Sequence, residues 1–129
     1  MMNVVLWLSQ VLLALAFLAH GLLLLWPPAA IVDQLNASLP RWFQLFLGSA
    51  EVLAAIGLIL PGLTRILPSL VVWAAGGIMI VMVAATIYHV ARDEMMSAVI
   101  TLVLLVMATF VAYMRLRVLP IPARRAAVR

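Results

Sequence analysis

The sequence predicts an all-α integral membrane protein, a bundle of four helices with antiparallel neighbours, and three observations carry that prediction. Hydrophobic side chains make up 68% of the chain and charged ones only 9%, whereas a soluble domain is about one-quarter charged. Four stretches each reach the roughly 20 mostly apolar residues that a helix needs to cross hydrocarbon. The connections between them are short and contain helix breakers, so successive helices should lie side by side in opposite directions. A length of 129 residues fits one transmembrane domain covering the whole chain.

The expected spans are Val4 to Trp26, Trp42 to Leu60, Pro68 to His89 and Met96 to Met114. Pro27 and Pro28 end the first, and Pro61-Gly62 is expected to end the second. Pro68 stands where a first-turn proline is tolerated, and Arg92-Asp93-Glu94 forms a charged break before the fourth span. The first span lacks a basic n-region and is too long for the h-region of a signal peptide, so it is expected to be retained.

All of the positive side chains are arginines, and five of the eight lie in the last fifteen residues. Residues 115–129 therefore read as a basic tail that meets anionic lipid headgroups, not as a nucleic-acid surface. Arg65, between spans two and three, falls on the same side as Arg115, Arg117, Arg124, Arg125 and Arg129. The opposite loops hold Arg41 and Arg92 beside Asp33, Asp93 and Glu94. The positive-inside rule then places both termini in the cytoplasm. Trp26, Trp42 and Tyr88 fall at the outer interface, where amphipathic rings concentrate. The chain has no cysteine, which excludes disulfides, thiol relays and Cys-ligated metal clusters.

The candidate site comes from polar residues inside the spans. Glu51 lies near the middle of span two, where an ionised carboxylate costs about 2.5–3.5 kcal/mol, so it must face the bundle interior, protonated or paired. Gln44, Gly48 and Ala55 share its helical face, and small residues let a second helix approach closely. Gly76, Gly77, Ala84 and Ala85 offer similar openings on span three. At a rise of about 1.5 Å per residue, His20 on span one comes within a few ångströms of the depth of Glu51, with His89 nearer the surface. Thr86 stands one turn below His89, and Ser97 and Thr101 line one face of span four.

These residues predict a polar pocket in the outer half of the bundle, built from Glu51, His20, His89, Gln44, Thr86 and Thr101. It is suited to a small ligand such as a quinone carbonyl, or to a proton relay. Interhelical hydrogen-bond glue, at about 0.6–2 kcal/mol per contact, accounts for the same residues. Zinc or iron could use His20, His89 and Glu51, but no HxxxH or ExxH spacing supports a metal, and the different depths of the histidines argue against haem. The eight methionines read as gap fillers and not as copper ligands. No Gly-rich phosphate loop, nucleophile elbow or catalytic triad pattern appears, so the sequence carries no enzyme signature.

Several segments resemble the DoxX-like family of small four-helix bacterial membrane proteins. They are Phe17 to Gly21, Gly48 to Pro61, Ala74 to His89 and Phe110 to Pro120, and the Gly-x-x-Glu segment and the span that ends in histidine are the most specific of them. The resemblance implies a bacterial inner-membrane location. It also implies an association with quinone-linked oxidation or a membrane redox complex, with Glu51, His20 and His89 at the family's intramembrane polar positions. The chain has Leu22 to Leu25 where many relatives carry a lysine shortly after the span-one glycine.

The leading expectation is a protein that binds a small apolar ligand, with a quinone as the candidate, in support of a redox partner. A structural subunit or assembly factor, homo-oligomeric or bound to other membrane proteins, is the alternative. An oligomeric transporter is a third reading, although none of the spans is discontinuous as transporter site helices are.

Overall fold

The computed structural model describes residues 1–125, so Arg129 of the expected tail lies outside the described residues. Four long helices run through them: α1 (Met2–Leu25), α3 (Arg41–Thr64), α4 (Leu70–Ala91) and α5 (Met95–Tyr113). A short helix, α2 (Val32–Ser38), sits in the first connection, where the sequence offered only a loop. A π-helical segment (Met114–Val118) extends α5. The α1 helix packs on α3, α3 on α4, and α4 on α5, while a slighter seam between α1 and α5 closes the ring. Arg115, after α5, hydrogen-bonds Asn3 at the start of α1, which ties the end of α5 to the start of α1.

The surface is that of a protein solvated by hydrocarbon. Trp73 is 76% exposed and Ile80 74%, while Gln10 and Gln44 are fully buried. Large apolar side chains so exposed along every long helix would aggregate in water but match lipid. All four long helices have the length and hydropathy of membrane spans. Leu13, Phe17, Leu58, Val71, Ile78 and Val111 form the centre of the core, and Ala14, Ala55, Ala75 and Ala108 let the helices close around them.

Two boundaries differ from expectation for identifiable reasons. Pro61 does not end span two. The helix runs on to Thr64 with Pro61 inside it, because the N–H that proline lacks would have served only the last turn. The chain leaves α3 through Arg65, held in the left-handed region at φ 58°. Gly62 also has a packing duty, since a Cβ there would lie 2.8 Å from the Trp7 ring. Pro68 falls just before α4, whose N-cap is Ser69. At the other end, Asp93 takes a left-handed φ of 57°, which a short polar side chain tolerates, and turns α4 into α5.

The tightest seam lies between α1 and α3. A Cβ on Gly21 would come 2.9 Å from the Gly48 carbonyl oxygen, and one on Gly48 would come 2.8 Å from that of Gly21. Both contacts are to backbone, which cannot rotate away. Gly76 and Gly77, by contrast, have open space where a Cβ would stand, so these two of the openings expected on span three are not filled by this bundle, whereas Ala85 packs against the core. Gly48→Ala should therefore destabilise the protein by about 1–3 kcal/mol through overpacking, read from unfolding in mixed micelles. Gly77→Ala should stay within about 0.5 kcal/mol of the parent, as surface changes do.

Candidate functional site

The α1–α3 seam positions the most polar contact in the spans. With Gly21 against Gly48, the two backbones lie close enough for the β-carbon of Glu51, three residues after Gly48, to border Gly21. The Glu51 side chain is 3% exposed, and its Oε2 lies 2.6 Å from Nδ1 of His20 on α1. The His20 side chain is 56% exposed. One partner is therefore sealed in the bundle, while the other forms part of its wall. Glu51 sits ten residues into α3, about 15 Å along it, so the contact is inside the span. A short hydrogen bond of this kind gives Glu51 the partner that an ionisable group at such depth requires.

Among the described residues, a glutamate three residues after a buried glycine and a histidine preceding the facing glycine thus form one interhelical unit. A family model, that of the DoxX-like family, matches residues 8–111 and so includes all of this unit. The chain belongs to the DoxX-like family. No curated protein and no solved structure matches it.

The remaining sequence-predicted residues of this DoxX-like bundle do not join Glu51 and His20. His89 meets the loop instead, with its Nδ1 2.6 Å from Oε2 of Glu94, whose other oxygen accepts from Nε of Arg92 at 2.9 Å. The cause is the tight turn at Asp93, which brings Glu94 back over the last turn of α4. Hydrogen bonds from Arg92 and then His89 hold the Glu94 carboxyl below its ordinary value of 4.5. The same carboxylate raises the pKa of Arg92, whose guanidinium also lies 5.3 Å from the centre of the Tyr88 ring.

Gln44 lies on the Glu51 face of α3 but is engaged nearer the end of the bundle. Its Nε2 donates to Asn36 Oδ1 at 2.9 Å and to the Leu39 carbonyl at 2.8 Å, and its Oε1 accepts from Arg41 at 3.1 Å. Arg41 also donates to the carbonyls of Leu24 and Leu25, satisfying acceptors that the end of α1 leaves open. This network folds α2 against the end of the bundle. Thr86 and Thr101 face each other, with their hydroxyls 2.8 Å apart, and each lies within reach of a carbonyl of its own helix. They form an α4–α5 clasp. The expected single pocket is thus resolved into a paired Glu51–His20 unit and three separate structural contacts.

Sequence reasoning missed a second buried polar cluster, at the opposite end. Arg115, assigned to the tail, is only 5% exposed. Its Nε donates to Gln10 Oε1 at 2.6 Å, and Gln10 Nε2 donates to the Leu58 carbonyl at 2.7 Å. The available signal was Gln10, an amide alone in an apolar run that needs a partner in hydrocarbon.

The Glu94 contact has a defined pH dependence. A carboxyl that ionises more readily in the folded protein contributes stability above its unfolded pKa, and that contribution fades as pH falls through the folded value. Glu94→Gln should therefore lower the thermal midpoint near neutrality. The gap from the parent should close as the pH is taken below 4.5, followed by thermal scans of both proteins across that range.

Proposed function

We propose that the protein uses Glu51 and His20 to hold a small, lipid-soluble carbonyl compound at the wall of the bundle, a quinone being the best fit, in support of a membrane redox partner. The observation behind this reading is the asymmetry of the pair, with a buried carboxylate holding a half-exposed imidazole. In hydrocarbon a net charge is costly, so the favoured state of the pair is neutral overall. That state has one proton shared between Nδ1 and Oε2 and a second on Nε2, whether it is drawn as imidazolium–carboxylate or as neutral acid and base. Either way Nε2 is a donor, and no described residue accepts from it. A carbonyl oxygen arriving through the lipid is the complementary partner, and the shared proton gives the pair a means of responding to charge that develops on the ligand.

In this reading the arginine-rich end of the bundle is cytoplasmic, the Glu51–His20 pair lies in the outer half of a bacterial inner membrane, and both termini are inside. A short-chain benzoquinone titrated into detergent-solubilised protein should quench tryptophan fluorescence saturably, since Trp26 and Trp42 bracket the same end of α1 and α3. His20→Ala should weaken that binding about tenfold, equivalent to about 1.4 kcal/mol, and Glu51→Gln should weaken it while leaving the bundle folded. Quenching that is non-saturable, or unchanged in both variants, would refute the reading.

A second reading, as a structural subunit or assembly factor, draws on α4. Trp73, Gly77, Ile80 and Ala84 lie on one outward face, and the spacing of small residues there suits the close approach of another helix. Because the chain has no cysteine, a single Gly77→Cys variant would report such a neighbour by cross-linking in native membranes.

A further inference from the structure

The second buried cluster poses a problem of charge that the described residues do not solve by themselves. Arg115 stays protonated in any protein setting, and its side chain is 5% exposed. Every acceptor it meets is neutral: Gln10 Oε1 at 2.6 Å, Asn3 Oδ1 at 3.0 Å and the Leu119 carbonyl at 3.2 Å. Its Nη2 is buried with no hydrogen-bond partner, and the Trp7 ring centre lies 5.1 Å from its Cζ. The four acidic side chains of the sequence, Asp33, Glu51, Asp93 and Glu94, lie in the other half of the bundle or at its far end. A buried charge with one orphaned donor and no counter-ion among the described residues calls for an anion.

Beside Arg115 there is a cavity of about 280 Å³, lined by Pro68, Ser69, Val72, Pro120 and Ile121 among others. Arg115 and Ser69 are the polar residues of this lining and the rest are apolar, so an occupant must be anionic at one point and greasy elsewhere. The cavity lies where α4 begins and the π-helical segment ends. A backbone hydrogen bond from Arg124 to the Arg65 carbonyl, 2.9 Å, ties the tail to the α3–α4 turn and brings two more arginines to this end.

We infer that this cavity is a binding site for the phosphate of an anionic phospholipid. The phosphate oxygens would accept from Arg115, which charge assistance favours, and the adjoining acyl chain would run along Val72 and Ile121. The π-helical geometry then has a role: it turns Arg115 toward the bundle and leaves Arg117 outside, so that one arginine recognises a headgroup and the others attract it from a distance. The site is at the opposite end from Glu51 and His20 and does not rest on the function proposed for them.

The test is native mass spectrometry of the full chain released from nanodiscs made of equal parts phosphatidylglycerol and phosphatidylcholine. The parent should retain phosphatidylglycerol at least tenfold over phosphatidylcholine. Arg115→Gln should abolish the preference, and so should Ala123→Trp, which fills the cavity from the exposed tail and leaves Arg115 intact. Arg117→Gln should keep it. Equal retention of both lipids by the parent, an unchanged preference in Ala123→Trp, or an equal loss in Arg117→Gln would each overturn the site. Millimolar inorganic phosphate serves as a separate arm. Full displacement of the retained lipid by free phosphate would overturn the lipid assignment in favour of a soluble oxyanion, and failure to displace it supports the lipid.

Discussion

A carboxylate within a membrane span must be given a partner, and in this bundle that requirement governs how the first two long helices meet. Glu51 reaches His20 only because α1 and α3 come together glycine to glycine, with the Gly21 and Gly48 backbones in mutual contact. A methyl group on either one would push the helices apart and lengthen a 2.6 Å contact. Small residues bring the helices close, the close approach allows the polar bond, and the bond adds energy to a seam that has no hydrophobic drive in lipid. Packing and polarity at this seam are therefore one constraint.

The rest of the molecule divides its polar groups by level. At one end, Arg41, Gln44 and Asn36 fold α2 inward, and His89, Arg92 and Glu94 close the α4–α5 turn. At the other, Arg115, Gln10 and Asn3 tie the end of α5 to the start of α1. Between them lie the Glu51–His20 unit and the Thr86–Thr101 clasp, the side-chain to side-chain hydrogen bonds described between these levels. The closures satisfy backbone and side-chain groups inside the protein, as hydrocarbon demands. Two of these polar contacts keep a donor that has no hydrogen-bond partner among the described residues, Nε2 of His20 at the bundle wall and Nη2 of Arg115 inside it. The first suits a neutral carbonyl and the second an anion, because one donor belongs to a pair that is neutral overall and the other to a fixed cation.

Much of this was legible in the sequence. The spans follow from continuous apolar runs, and the facing of Glu51 and His20 follows from helical rise applied to two antiparallel segments. Three features were hidden, each by a departure from regular geometry. Pro61 reads as a terminator, yet α3 absorbs it because only the last turn remains. His89 shares a face with Thr86, but the left-handed Asp93 folds Glu94 back to capture it first. Arg115 reads as the start of a tail, and the π-helical continuation of α5 turns it inward instead. The membership in the DoxX-like family covers the spans and stops at Val111, before the segment in which Arg115 changes direction.

The central claim is that Glu51 and His20 form one energetic unit across the α1–α3 seam. A double-mutant cycle on Glu51→Ala and His20→Ala, read from unfolding in mixed micelles, tests it most directly. A coupling of about 1–3 kcal/mol, in the range of hydrogen bonds to charged groups, is the predicted result. Effects that simply add, to within about 0.3–0.5 kcal/mol, would contradict the claim and reduce the pair to two unrelated polar residues.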